Sequence, residues 1–333
     1  MGVYLVTGCA GFIGAKVSEF LLNDCHKVIG VDNLNDAYDV RLKHWRLKKL
    51  YSKRNFDFHR LDICDQQDLQ TLFSRTAMSS SHSSPVFDAV INLAARAGVR
   101  QSVENPWIYI ATNAIGTLNL LELSRKYEVP KYVLASTSSL YGQSSSMPYR
   151  EDADTSHPIS PYASSKKAAE SLCYTYHFLY DLDVTVFRYF TVYGPAGRPD
   201  MMPFRITQWI NEGNPIRIFG DGLQSRDFTY IDDIARGTIA GLKPLGYEII
   251  NLGSDKPVVL MDAIRIIENL IGRPSFLEFE PRHKADVTST WADIDKAKQV
   301  LQWHPVVQIE EGLRNLTEWY KENQEWASKV NIE

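Results

Sequence analysis

The chain has 333 residues and a formal net charge of −4. That is long enough for two domains or one large α/β unit with an appended lobe, and the charge argues against nucleic acid or another polyanion as partner. Its 44% hydrophobic and 23% charged residues are those of an ordinary folded globular protein, and no apolar run approaches the ~18 residues of a membrane-spanning helix.

The first residues, "MGVYLVTG", enter a strand directly, with no basic leader or cleavage site, which predicts a cytoplasmic protein. In "VYLVTGCAGFIG" a strand runs into a turn bearing Gly8, Gly11 and Gly14, and a helix over 12–23 follows. Glycines at this spacing let the chain turn tightly, let its backbone approach a pyrophosphate and let helix and strand pack closely. The helix N-terminus then offers unpaired N–H groups to the phosphates. The second strand, "KVIGVD", ends in Asp32, where a carboxylate accepts hydrogen bonds from both ribose hydroxyls of an adenosine and repels a 2′-phosphate. That favours NAD over NADP. Asp62 ends the third strand, "FDFHRLD", where it can meet an adenine amino group. Helices are predicted over 39–52, 104–126 and 161–180, and the Ser-rich stretch from Thr76, "TAMSSSHSSPVFD", reads as an exposed loop. Further strands are "DAVINLA", "KYVLAS" and "VTVFRYF". Strands alternating with helices imply βαβ units, hence a doubly wound parallel sheet.

At the end of "KYVLAS" the chain reads "STSSLYG", placing the hydroxyls of Thr137, Ser138 and Ser139 where ligands bind in an open α/β sheet. Downstream, "SPYASSKKAAE" sets Tyr162 and Lys166 four residues apart, on one helical face. A phenol with an unperturbed pKa near ~10 is a poor base at neutral pH, and a neighbouring ammonium favours its phenolate. Beyond about residue 190 the pattern loosens into Pro- and Gly-bearing turns, which reads as a smaller C-terminal α/β lobe. The expected division is a nucleotide-binding domain over 1–190, with segments near 226–252 packing back on it, and a substrate lobe over most of 191–333. Cys9, Cys25, Cys64 and Cys173 form no C-x-x-C pair and read as reduced, buried small residues. The eight His have no ligand spacing, so no metal is expected.

Taken together, the motifs resemble the extended short-chain dehydrogenase/reductase family, specifically its nucleotide-sugar epimerases and dehydratases. The resemblance covers essentially the whole chain, from "TGCAGFIG" to "WADIDKAKQVLQW". "NLNDAYDVRLKHWRL", "RAGVRQSVENP", "RYFTVYGPAGRPDMMPF" and "IRIFGDGLQSRDFTYIDD" look like the UDP-glucuronate 4-epimerase branch. The resemblance implies a Rossmann domain holding NAD, a smaller lobe holding a UDP-sugar, and a triad of Thr137, Tyr162 and Lys166. It implies that Phe12, Ile13, Asn33, Asn35, Ile63, Leu93, Ala94, Ala95, Asn113 and Tyr189 line the cofactor with the glycine turn, Asp32 and Asp62. Arg217 and Phe219 would flank the uracil, Arg226 would meet the diphosphate, and Asp286 the uridine ribose. Ala285 stands where the family commonly has Gly, and His283 where it often has Arg or Gln, so no diphosphate contact is carried over from that segment.

Resembling dehydratases place Asp-Glu after the Thr, and resembling decarboxylases place Glu where this chain has Ser139. Ser at both positions removes the extra carboxyl group those reactions need, and points to inversion at C4 through a 4-keto sugar. Ser138, Ser139, Thr191 and Arg198 would then hold the sugar carboxylate, the planar guanidinium matching its two oxygens. A UDP-glucose/UDP-galactose 4-epimerase, a UDP-glucuronate decarboxylase and a non-catalytic NAD-binding protein on the same fold stay open as alternatives. The resemblance further implies a homodimer through the helices near 104–126 and 161–180. Arg100, in "AGVRQS", is a further candidate, for a cofactor or substrate phosphate.

Overall fold

The computed structural model describes residues 1–79, 85–143, 146–281 and 287–332. In chain order the first half runs β1 (Val3–Thr7), α1 (Phe12–Asn23), β2 (Lys27–Asp32), α2 (Val40–Tyr51), β3 (Phe56–Arg60), α3 (Gln66–Ser79), β4 (Ala89–Asn92), α4 (Val99–Glu104), α5 (Pro106–Tyr109), α6 (Gly116–Lys126) and β5 (Lys131–Thr137). Next come α7 (Pro161–Tyr180), β6 (Asp183–Tyr189), β7 (Thr191–Tyr193), α8 (Met202–Glu212), β8 (Ile216–Phe219), β9 (Ser225–Tyr230), α9 (Ile231–Ala240) and β10 (Tyr247–Leu252). The described chain closes with β11 (Pro257–Val259), α10 (Leu260–Ile271), β12 (Leu277–Glu280), α11 (Ile309–Glu322) and α12 (Gln324–Ala327).

Seven strands form one wholly parallel sheet in the order β10-β6-β5-β4-β1-β2-β3, the doubly wound α/β fold expected. Alternation along the strands explains its layers, because successive side chains face opposite sides. Val6, Val28 and Val133 pack with α1, α2 and α9 through Val17, Leu21, Leu47, Leu50 and Ile234. Their neighbours Leu5, Ile29, Tyr132 and Leu134 pack on the other side with α3, α6 and α7 through Phe73, Leu120, Leu121 and Cys173. Both faces are covered, so β5 is buried at all seven positions and reads as a continuous apolar run. A second core joins α8, α10 and α11 to β8 and β9 through Phe204, Ile210, Ile218, Ile264 and Leu316.

Three local readings change. The stretch expected as one helix over 104–126 is α5, a π-helical segment at Ile110–Ile115 and α6, preceded by α4. That segment carries Asn113, whose amide donates to the Ser165 hydroxyl on α7 (2.9 Å) and to the Arg96 carbonyl (2.9 Å), partners that lie outside the segment itself. The expected loop from Thr76 begins as helix: α3 continues to Ser79, with the hydroxyls of Thr71, Ser74 and Thr76 satisfied by carbonyls one turn back, as Thr76 is by Leu72 (2.9 Å). Residues 80–84 of that stretch lie outside the described residues. Cys25 is exposed in the turn after α1, whereas Cys9 and Cys173 are buried as expected.

Beneath the carboxyl end of β5 lies a buried ion pair. Glu170 of α7 and Arg188 of β6 are each 2% exposed. Arg188 donates through Nε to Oε1 (3.0 Å) and through Nη2 to Oε2 (2.9 Å). Ser136, next to Thr137 on β5, donates to Glu170 Oε1 at 2.6 Å. The remaining Arg188 nitrogen, Nη1, donates to the Tyr141 hydroxyl (3.1 Å) and the Glu151 carbonyl (3.2 Å), and Tyr141 donates in turn to Asn251 Oδ1 on β10 (2.6 Å). Burying two charges is costly unless each is paired and hydrogen-bonded, and removing one strands the other. We therefore expect Glu170→Leu or Arg188→Met alone to cost about 3–5 kcal/mol of unfolding free energy. The double variant should recover most of that loss in urea denaturation, giving a large favourable coupling; strictly additive losses would show that the pair does not act as a unit.

Candidate active site

The sheet order reverses between β1 and β4, the place where an open α/β sheet leaves a crevice at its carboxyl edge. A cleft of about 320 Å³ opens there. Its walls include Gly8, Gly11, Phe12, Ile13, Gly14, Asp32, Asn33, Asn35, Asp62, Ile63, Leu93, Ala94, Ala95 and Tyr189 at one end. Thr137, Ser138, Ser139, Tyr162, Lys166, Thr191 and Arg198 line the other.

At the first end Gly8 holds φ +69°, and a Cβ there would sit 2.8 Å from the Ala94 nitrogen. A Cβ on Gly14 would sit 2.1 Å from the Gly8 carbonyl oxygen, so helix α1 approaches the turn as closely as only glycine permits. The N-cap of α1, Gly11, makes no side-chain cap bond, and its first turn holds no acid. Unpaired N–H groups facing a cleft and a positive dipole end suit an anionic ligand such as a pyrophosphate. Asp32 is held by the Ala10 and Leu34 amides (3.2 and 2.8 Å). Burial works to raise the Asp62 carboxyl, but hydrogen bonds led by the Cys64 amide, with Asn33, hold it below the usual value.

Sequence reasoning missed two cations here. Lys43 is buried, lines the cleft and lies 3.4 Å from Asp32 Oδ1 and Asn35 Oδ1. Arg46, one turn on, is buried, and among the described residues no carboxylate pairs with it. It donates to the carbonyls of Ala196, Gly197 and Ala10 and to the Tyr38 hydroxyl, tying the glycine turn to the loop that carries Arg198. The signal was present: Leu42, Lys43, Arg46, Leu47 and Leu50 share the buried face of α2, and charged residues at core-facing helical positions ask for partners.

At the other end, Ser160 caps α7 by accepting from the Ala163 amide (3.2 Å), and Pro161 opens the helix. Tyr162 is therefore fixed in the first turn. Thr137 accepts from the Ser139 amide and donates to the Ser139 hydroxyl, both at 3.1 Å. Burial pushes the Tyr162 phenol up, while the Thr137 hydroxyl and the Arg198 charge pull it back. Lys166 donates to the Ala135 carbonyl (2.8 Å), and burial lowers its pKa to about 8. Tyr109 stands edge-on to Tyr162, ring centres 6.1 Å apart.

Four expected residues lie away from the cleft walls. Asn113 spends its amide on both backbone groups of Arg96 as well as on Ser165, so it shapes the loop after β4. Arg217 is exposed on β8 opposite Glu278 of β12. Arg226 donates to the carbonyls of Ser225 (2.8 Å) and Thr288 (3.3 Å). Phe219 receives the Arg100 guanidinium 4.0 Å from its ring centre, which joins α4 to the smaller lobe. Asp286, with His283 and Ala285, lies outside the described residues. Among the described residues no group of three or more His, Cys, Asp or Glu is placed to hold a metal ion, and no helix is long and apolar enough to cross a membrane.

The lysine supplies a test. Its folded-state pKa, about 8, lies below the ordinary 10.5, so between those values the folded chain binds fewer protons than the unfolded one and gains stability as pH rises. Lys166→Met should therefore melt no lower than the parent at pH 7, and its advantage should shrink as pH climbs from 8 towards 10.5. An advantage independent of pH would contradict a desolvated ammonium.

Comparison with known proteins agrees with this geometry. A family model described as GDP-mannose 4,6 dehydratase matches residues 5–316. A UDP-glucuronate 4-epimerase of Thermodesulfobacterium geofontis is 58% identical over 334 residues, covering 100% of both chains. Among solved structures, a UDP-glucuronic acid 4-epimerase from Bacillus cereus, in complex with UDP-glucuronic acid and NAD, is 36% identical with a TM-score of 0.88, over 96% of this chain and 99% of that one. A UDP-glucose 4-epimerase from Thermotoga maritima with UDP-glucose is 32% identical with a TM-score of 0.86, over 97% and 99% of the two chains. With the glycine turn, Asp32, Thr137, Tyr162 and Lys166 gathered in one cleft, the chain belongs to the extended short-chain dehydrogenase/reductase family, in its UDP-glucuronate 4-epimerase branch.

Proposed function

We propose that this protein inverts C4 of UDP-glucuronate to give UDP-galacturonate, using a tightly held NAD. One observation carries the reading. Among the described lining residues the acids are Asp32 and Asp62, both at the nucleotide end, and the reacting end holds hydroxyls, a phenol, a lysine and Arg198. A site without a carboxylate beside Tyr162 lacks the acid–base partner that dehydration requires. It suits a reaction whose single proton leaves and returns through one group.

The glycine turn and the uncapped N-terminus of α1 fit a dinucleotide pyrophosphate, and Asp32 with Lys43 fits its adenosine ribose. When bound, NAD supplies a reversible hydride acceptor at the sugar's C4. Tyr162 takes the proton from the C4 hydroxyl as hydride leaves, and gives it back to the opposite epimer. Thr137 hydrogen-bonds the same oxygen and keeps the phenol aligned. The Thr137 hydrogen bond and the Arg198 charge ease ionisation of Tyr162, opposing part of the rise that burial causes. Lys166, anchored on the Ala135 carbonyl, is placed to orient the nicotinamide ribose. Ser138, Ser139, Thr191 and Arg198 receive the sugar carboxylate, which keeps it from aligning with the C4 carbonyl and leaving as CO₂.

Purified protein incubated with UDP-glucuronate should yield UDP-galacturonate by chromatography of the product sugars, with little CO₂ and without added NADP⁺. Tyr162→Phe should lower kcat by roughly 10²–10⁴ while UDP-sugar binding survives. A wild-type rate in that variant would remove Tyr162 as the proton acceptor, and turnover confined to UDP-glucose would replace the uronate substrate by the neutral sugar.

The reading includes a homodimer. Tyr174, Phe178, Leu179 and Tyr180 of α7 are exposed, Phe178 by 72%. Trp107, Ile110 and Ile115 on the neighbouring helical run are exposed as well, Trp107 by 82%. An apolar surface of this extent suits a second copy of the chain. Sedimentation should give a dimer for the parent and a monomer for Trp107→Asp/Phe178→Asp; a monomeric parent would remove the assignment.

A further inference from the structure

Arg198 reaches the cleft with most of its donors already engaged. Its Nε donates to Asp200 Oδ1 at 3.0 Å and its Nη2 to Asp200 Oδ2 at 2.6 Å, the two-pronged arrangement a guanidinium makes with a carboxylate. The other Nη2 hydrogen goes to the Ala97 carbonyl at 3.2 Å, an oxygen that also accepts from the Tyr109 hydroxyl at 3.4 Å. Among the described residues only Nη1 of this guanidinium meets no acceptor. The backbone behind it has little freedom, because Arg46 holds the Ala196 and Gly197 carbonyls. What decides how Arg198 faces the cleft is therefore its partner, Asp200.

We propose that Asp200 is a positioning residue that occupies the two-pronged edge of Arg198, so that the sugar carboxylate is held by Nη1 alone and can let go when the sugar turns over. The inference rests on the reaction proposed above. Inversion at C4 requires the oxidised sugar to present its second face, and the C6 carboxylate must then leave its first position. A bidentate grip by an uncompensated guanidinium would anchor the sugar in one orientation. A single charge-assisted hydrogen bond, backed by the hydroxyls of Ser138, Ser139 and Thr191, selects an anion yet releases it. The Asp200 carboxylate also opposes the field of the arginine at the cleft, limiting how tightly a uronate is held before reaction. Tightening that is felt equally by substrate and transition state does not speed the chemical step, and tightening of the ground state alone slows it.

Neutralising Asp200 should show this. Dissociation constants for UDP-glucuronate and UDP-glucose are measured by calorimetry on a Tyr162→Phe background, where turnover does not interfere, and rates are measured with Tyr162 intact. Asp200→Asn should tighten UDP-glucuronate binding by about fivefold, the modest size of a unit charge interaction in a wet site, and leave UDP-glucose within about twofold. Its kcat on UDP-glucuronate should fall by a comparable factor, so that KM and kcat drop together. Asp200→Ser should shift binding in the same direction, and adding Arg198→Ala should abolish the effect of either change. Unchanged or weaker UDP-glucuronate binding would overturn the proposal. So would an equal shift on both sugars, or an effect that persists without Arg198, since a merely structural role for Asp200 predicts those results. A wild type that binds UDP-glucuronate without converting it would overturn the proposed reaction instead, while the binding comparison still decides how Asp200 acts. Failure to bind UDP-glucuronate at all would overturn both.

Discussion

The geometry of the reacting end depends on a buried charge pair that never touches the cleft. Thr137 comes from β5, and Tyr162 and Lys166 from α7, so their mutual placement is the placement of that strand against that helix. Glu170, one turn beyond Lys166, is bonded to Ser136, the residue before Thr137, and to Arg188 on the next strand. Tyr141 and Asn251 extend the contact to β10. Interior polar groups are tolerable only when every donor and acceptor is met, and such a network has one satisfactory arrangement. The pair adds this directional constraint to the apolar packing of α7 on the sheet.

The cleft above that network is electrostatically divided. One end combines helix N–H groups with two carboxylates and Lys43, the pattern of a nucleotide site. The other is poor in charge, and burial there works against ionisation of both the phenol and the lysine. At Tyr162 the Thr137 hydroxyl and the Arg198 charge oppose part of that effect. Without Asp200 the guanidinium would favour the phenolate more strongly but would also grip an anionic sugar harder. The arrangement present is intermediate, as the proposed turnover, in which the sugar is bound, released and bound again, would require.

Much of this was legible in the linear chain because the informative features are local. The strand–turn–helix glycines, the acid ending the second strand and the Tyr-x-x-x-Lys spacing each lie within one short segment, and short segments carry their own periodicity. The hydroxyl run after β5 located the reacting end for the same reason. Reading was poorer where a helix answers to its neighbours. The π-helical segment holding Asn113 reflects Ser165 and Arg96, and nothing between residues 104 and 126 announces it.

The sequence by itself thus determined the parallel α/β sheet and the absence of an acid after Thr137, and it singled out the glycine turn, Asp32, Thr137, Tyr162 and Lys166 that the fold gathers in one cleft. Tertiary structure alone decided which partner each cation takes. Lys166 donates to the Ala135 carbonyl, Arg46 binds the turn to a loop far along the chain, and Arg198 turns its fork to Asp200 and its remaining edge to the cleft. The physical reason is that a charge taken out of water must find its partner in space. The candidates for that partner come from every element packed nearby, so no local pattern can name it.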